Sequence, residues 1–219
     1  MRPSSVNTSD YLSPEFYHFS EDSLHLARLV SKEIISLKEP IRVLDLCAGA
    51  GVIGLEIVQS HFEKDISLDF CELLPEFLPY LKINMALFLP PQLKNKSRVF
   101  IQPLSSLLVP EFKNGWDIVA ANPPYYHSEH FSLSPKSDLK NYCRFFIKDS
   151  FEIFYETLAH ILRPGGKAFF TSLKDGAPNH QKILDDIRED FAKKHGDRVR
   201  IEKKGEGGGA SIFLMTSLK

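Results

Sequence analysis

Residues 41–54 read Ile41-Arg42-Val43-Leu44-Asp45-Leu46-Cys47-Ala48-Gly49-Ala50-Gly51-Val52-Ile53-Gly54. The apolar run from Ile41 to Leu46 predicts a strand buried on both faces, as strands of a parallel sheet are. Gly49, Gly51 and Gly54 then give the spacing GxGxxG, whose glycines let the chain turn tightly and let a ligand approach the backbone. Val52 to Ser60 follows as a helix. Ile66 to Cys71 predicts a second strand, closed by Glu72, 18 residues after Gly54. A carboxylate in that place accepts hydrogen bonds from two ribose hydroxyls. Strand, glycine turn, helix, strand and acid together predict a nucleotide site on a doubly wound sheet.

Outward from this unit the alternation continues. Ser20 and Asp22 are placed to cap a helix that carries Leu26, Val30, Ile34 and Leu37 on one face. Pro75 to Leu89 predicts a helix, Arg98 to Gln102 a third strand and Trp116 to Ala121 a fourth. Phe151, Phe154, Tyr155, Leu158 and Leu162 give a firm amphipathic helix, stopped by Pro164-Gly165-Gly166. A fifth strand follows over Lys167 to Ser172, then a helix marked by Ile183, Leu184, Ile187 and Phe191. Arg198 to Lys203 and Ala210 to Thr216, joined by a glycine turn, predict a closing hairpin. The rhythm implies a mainly parallel sheet covered on both faces. Tyr125 to Arg144 shows no period, and a loop of that length in a compact domain is usually functional.

Composition narrows the class. The 219 residues are 43% hydrophobic and 25% charged, the balance of a soluble globular domain. No stretch is long and apolar enough for a membrane span, and Met1 to Asp10 lacks the apolar core of a secretory signal. Three cysteines without metal spacing predict reduced thiols, a cytoplasmic location and no bound metal. A net charge of -1 excludes a globally basic coat. Lys193, Lys194, Arg198, Arg200, Lys203 and Lys204 still form a basic cluster, either a solvated surface or a phosphate-facing patch.

Asp45 discriminates among nucleotides. A carboxylate just before the glycines suits an ammonium group and repels a pyrophosphate. An acid followed by this glycine turn resembles the first motif of the class I S-adenosylmethionine-dependent methyltransferases. The resemblance spans roughly Ile41 to Thr216. It implies an α/β Rossmann-type fold with a doubly wound, mainly parallel seven-stranded sheet ending in an antiparallel hairpin. It also implies S-adenosylmethionine as cofactor, with Asp45, Cys47, Ala48, Gly49 and Gly51 around its methionine part and Glu72 on its ribose. That family often offers an acid to the adenine ring after the third strand. Here the loop is Gln102-Pro103-Leu104-Ser105-Ser106, so Leu104 is expected to cover the adenine, and Ser105 or a backbone group to meet its edge.

The fourth strand runs into Asn122-Pro123-Pro124-Tyr125. A conjugated amine is a poor nucleophile until its lone pair turns out of conjugation. The Asn122 side-chain oxygen and the Pro123 carbonyl are expected to take one amine hydrogen each and to accommodate developing positive charge. Two prolines hold that carbonyl aimed. Tyr125 offers a stacking face worth about 1–3 kcal/mol for a base. Asn122, Pro123 and Tyr125 are therefore the expected catalytic residues, with Asn122 also facing the cofactor. The tetrad resembles that of methyltransferases acting on amines of adenine or cytosine, or on a protein glutamine.

Tyr17-His18-Phe19-Ser20-Glu21-Asp22-Ser23-Leu24-His25-Leu26-Ala27 resembles the entry of the bacterial tRNA adenine-N6 methyltransferases. The expected activity is methylation of an adenine-N6 in tRNA by a monomer or weak dimer. The alternatives are a release-factor type protein glutamine methyltransferase and a non-catalytic nucleotide-binding scaffold. Residues 1–40 are expected to form a helical cover and 41–219 the methyltransferase domain. Tyr126, His127, His130, Phe131, Lys136, Lys140 and Arg144 mix aromatic and basic groups suited to RNA.

Overall fold

A computed structural model describes residues 10–127, 133, 137–174 and 178–218. Seven strands form one sheet in the order β3-β2-β1-β4-β7-β9-β8. These are β1 (Ile41–Leu46), β2 (Ile66–Glu72), β3 (Val99–Ile101), β4 (Trp116–Ala121), β7 (Leu162–Leu173), β8 (Val199–Gly207) and β9 (Ala210–Ser217). β3, β2, β1, β4 and β7 run parallel, while β9 is antiparallel to both β7 and β8. This is the doubly wound, mainly parallel sheet closed by an antiparallel hairpin that the sequence implies. Among the described residues the α-helices are α1 (Glu21–Ile34), α2 (Val52–Ser60), α3 (Leu78–Phe88), α4 (Asp138–Arg144), α5 (Phe151–Ile161) and α6 (Pro178–Lys194). A short parallel pair, β5 (Tyr126–His127) and β6 (Phe145–Phe146), stands apart from the sheet.

The pleat sends alternate residues to opposite faces. Val43, Ile118, Ala120, Phe169 and Ile212 pack with Leu26, Val30 and Ile34 of α1 and Leu55, Ile57 and Val58 of α2. Leu44, Leu46, Val119, Phe170 and Phe213 pack with Phe154, Tyr155 and Leu158 of α5 and Leu184 and Phe191 of α6. Ser150 begins α5 by accepting the Ile153 N–H at 3.2 Å. Among the described residues no helix is long and apolar enough to cross a membrane.

Strand order reverses at β1 and β4. The units after β1 build toward one edge, and β4 returns to the other side of β1. Such a reversal opens a crevice beyond the carboxyl ends of the two strands. Leu46 pairs with Ala121, so Cys47 and Asn122 leave the sheet side by side.

Several local expectations are corrected. Pro75–Phe77 is a 3-10 turn preceding α3, which has a proline in its first turn. The stretch without period contains β5 and α4, with β6 directly after it, because a seven-residue helix is too short to show a 3.6-residue repeat. β7 already pairs at Leu162, and the register shift between Trp116 and Ile118 absorbs Pro164-Gly165-Gly166. Ser20 begins α1 without a side-chain cap; Asp22 Oδ1 instead accepts the Ser23 N–H at 2.7 Å and the Ser20 hydroxyl at 2.6 Å.

Gly51 adopts φ 82°, and a Cβ there would lie 2.4 Å from Leu81 Cδ1. Gly51→Ala combines left-handed strain with overpacking. It is expected to cost about 2–4 kcal/mol, read from urea denaturation. A loss below 1 kcal/mol (order of the intrinsic Gly-to-Ala gain) contradicts the packing described.

Candidate active site

The glycine turn sits on a buried acid. Asp45 is fully buried beneath it, and its Oδ2 accepts the Gly54 N–H at 2.8 Å in the first turn of α2. Burial pushes this carboxyl well above the ordinary range, against the lowering effect of the Gly54 N–H. Asp45 therefore supports the turn from below, beneath the residues that line the crevice. Gly51 likewise faces Leu81 and Phe70, not the crevice.

Cys47, Gly49, Glu72, Leu104 and Asn122 do share one cleft, with an empty volume of about 660 Å³. Ala48 lines a smaller hollow that adjoins it at Cys47, Gly49 and Asn122. Glu72 Oε2 accepts the Gly49 N–H at 2.7 Å, and Oε1 accepts the Leu74 N–H at 2.9 Å. A carboxylate has about four acceptor sites, so Glu72 keeps capacity for a further donor. Burial pushes the Glu72 pKa up, partly offset by the N–H groups of Leu74, Gly49 and Leu73. The ordered carboxylate thus stands ready for hydroxyl donors in a cleft with mainly apolar walls, including Leu104 and Phe146.

A second cleft lies on the other side of Asn122, bounded by Asp22, Pro123, Tyr125, Tyr126, Lys140 and Arg144. Asn122 is common to both clefts. Its Nδ2 donates to Ser23 Oγ at 2.9 Å. Its Oδ1 accepts from Thr171 Oγ1 at 2.6 Å. The Tyr125 hydroxyl lies 2.7 Å from both Asn122 Oδ1 and Asp22 Oδ2. It has one hydrogen and so two competing acceptors. Burial, followed by the charge of Asp22, pushes the Tyr125 phenol up, so it stays neutral.

Sequence reasoning singled out Asn122 and Tyr125 but missed Asp22, Ser23 and Thr171 as their partners. The adjacent Asp22-Ser23 in the quoted N-terminal stretch was the available signal; Thr171, inside a strand, offered none. The hairpin reaches this network too. A Cβ on Gly208 would lie 2.2 Å from the Asp22 nitrogen, so the β8–β9 turn sits directly on the start of α1.

The basic groups divide. Arg144 stacks over Tyr126, 5.4 Å from the ring centre, beside the second cleft. His130, Phe131 and Lys136 lie outside the described residues. Lys203 pairs with Glu206, Lys204 with Glu202 at 2.6 Å, and Arg200 with Glu202 at 3.5 Å. The hairpin cations thus face carboxylates of their own strand.

A model of the family described as Eco57I restriction-modification methylase matches residues 55–202. The release factor glutamine methyltransferase of Clostridium acetobutylicum is 29% identical over 192 residues, 79% of this chain and 62% of that protein. The chain therefore spans less than two thirds of that relative. Precorrin-6y C5,15-methyltransferase of Geobacter metallireducens aligns over 97% of this chain and 98% of its own, with TM-score 0.58 and 10% identity. A Methanococcus maripaludis protein described as an S-adenosyl-L-methionine-dependent methyltransferase covers 90% and 87%, with TM-score 0.53 and 12% identity. These two structures share the fold.

Cys47, Cys71 and Cys143 all line the first cleft. Burial, then the nearby Glu72 carboxyl, pushes all three thiols up, Cys143 to about 12. At pH 7.5 iodoacetamide is expected to alkylate them at least about a hundredfold more slowly than free cysteine, followed by mass spectrometry. Labelling of Cys143 at the free rate contradicts this environment.

Proposed function

The chain belongs to the Eco57I restriction-modification methylase family, and on that premise we propose that it is an S-adenosylmethionine-dependent methyltransferase acting on a planar nitrogen that bears two hydrogens. The observation that carries this reading is Asn122, held between a cleft containing an ordered carboxylate and a second cleft open to an acceptor. The favoured acceptor is a glutamine side-chain amide in a protein, supported by the glutamine methyltransferase relative. A base amine in RNA, such as adenine-N6 in tRNA, is the second reading. Arg144, Tyr126 and Lys140 at the mouth favour it. A cytoplasmic location goes with either acceptor.

The residues fit the cofactor. Glu72 would hold the ribose hydroxyls, while Cys47 and Gly49 would flank the methionine part. S-adenosylmethionine supplies an electrophilic methyl group when bound. Asn122 Oδ1 and the Pro123 carbonyl then accept the two hydrogens of the acceptor nitrogen and turn its lone pair out of conjugation. Both lone pairs of Asn122 Oδ1 lie within reach of hydroxyl donors, those of Thr171 and Tyr125. Tyr125 releases one lone pair by turning its hydrogen to Asp22, an equally close acceptor. Asp22 and Ser23 thus position the tetrad, and alignment supplies most of the acceleration, up to about 7–11 kcal/mol in favourable cases.

Labelled methyl transfer to a bacterial protein extract and to bulk tRNA tests the reading. Label in protein, recovered as methylglutamine, supports the favoured acceptor; label in RNA alone selects the second. No transfer to either contradicts the activity. Asn122→Ala is expected to lower turnover about 10²–10³-fold while S-adenosylhomocysteine still binds within about threefold of wild type. Wild-type turnover in that variant removes Asn122 from the chemistry.

Cofactor affinity is also expected to depend on pH. Ribose hydroxyls donate to the ionised Glu72, so ligand binding favours that form. Because burial raises its pKa, affinity should fall on acidification earlier than an ordinary glutamate would allow. Calorimetric titration of S-adenosylhomocysteine between about pH 8 and 5 reads this window. Glu72→Gln should bind more weakly at pH 8 and lose the Glu72-dependent part of the slope. An unchanged slope assigns the effect elsewhere, for instance to buried Asp45.

A further inference from the structure

We propose that Asp149 and Gln102 together read the amino edge of the cofactor's purine, an inference that rests on the methyltransferase reading above. Sheet order fixes where a base must lie. Asn122 follows β4, the glycine turn follows β1 and Glu72 ends β2. From the reacting end through the ribose, the next place along the crevice is the end of β3. There the chain runs through Gln102 and Pro103 into a 3-10 turn over Leu104–Leu107. No acid stands in that turn.

The structure brings one in from elsewhere. Asp149, immediately before the Ser150 cap of α5, reaches across 45 residues of sequence to accept the Leu104 N–H on Oδ2 at 2.8 Å. Its Oδ1 accepts the Ser105 N–H at 3.2 Å. Leu104 is fixed further, because its carbonyl accepts from Thr157 Oγ1 at 3.3 Å. Asp149, Gln102 and Leu104 all line the first cleft.

Two consequences follow for a base in this place. A carboxylate has about four acceptor sites, so Asp149 retains capacity for an exocyclic amine after taking two backbone bonds. The same bonds occupy the Leu104 and Ser105 N–H groups, so neither N–H is left to meet the ring edge. A ring nitrogen beside that amine then needs another donor. Gln102 Nε2 is buried in the cleft wall and has no hydrogen-bond partner among the described residues. An unpaired buried amide is costly, and a ring nitrogen acceptor would satisfy it. Acceptor on Asp149 and donor on Gln102 complement the 6-amino edge of adenine. They mismatch a 6-oxo purine, which offers an acceptor and an N–H in the same two places.

The test compares S-adenosylhomocysteine with S-inosylhomocysteine by calorimetry. Wild type is expected to prefer the adenosyl form by at least about a hundredfold, since a site built around a donor rejects the analogue lacking it. Asp149→Asn, whose amide can donate to the 6-oxo oxygen, should bring the ratio below about tenfold. A merely structural Asp149 would weaken both ligands alike, and an unchanged ratio overturns the proposal. If Asp149→Asn fails to fold, Gln102→Leu serves, because it leaves the Asp149 bonds intact. It should weaken S-adenosylhomocysteine about tenfold, and unchanged affinity overturns the paired reading. Equal binding of both ligands by wild type overturns it without any variant. Failure of wild type to bind either one overturns the methyltransferase reading itself, and this inference with it.

Discussion

Leu46 and Ala121 are the last residues of neighbouring parallel strands, and they are register partners. Parallel pairing forces both chains to leave the sheet at the same end. The strand-order reversal keeps the helices that follow from covering that end. Every group of the candidate site depends on this constraint. The glycine turn and Asn122 are neighbours only because β1 and β4 are. Glu72 and Gln102 stand in line beyond them because β2 and β3 add on the far side of β1.

Local features of this arrangement were legible in the sequence. The strand, the glycine turn and the closing acid lie within 32 residues, Ile41 to Glu72, and each reports its own backbone. Asp45 shows the limit of reading charge without the pleat. Val43 belongs to the core beneath α1 and α2, and alternation puts Asp45 on the same face as Val43. Its carboxylate consequently meets the α2 backbone. The acid beside Leu104 was not legible at all. It comes from 45 residues away, through the approach to α5, and no spacing rule anticipates such a contact.

Asn122 sits at the junction of three parts of the chain. α1 contributes Ser23 and Asp22, β7 contributes Thr171, and the tetrad contributes Tyr125. This polar cluster is held by elements that are themselves packed on the sheet, so its geometry is set by the core and not by a surface loop. Buried polar networks of this kind specify one arrangement when every member is satisfied. Here one member, the Tyr125 hydroxyl, has a choice of acceptors, which leaves a single degree of freedom in the cluster.

The turn between β8 and β9 has the look of a convenient surface hairpin, where tags, fluorophores and peptide insertions are customarily placed. The absence of a side chain on Gly208 is what lets that turn rest against Asp22. An insertion at this tip would push on the first turn of α1 and, through Asp22 and Ser23, on Asn122. For anyone engineering this protein, the β8–β9 turn bears on the candidate site through Asp22, and labels belong elsewhere.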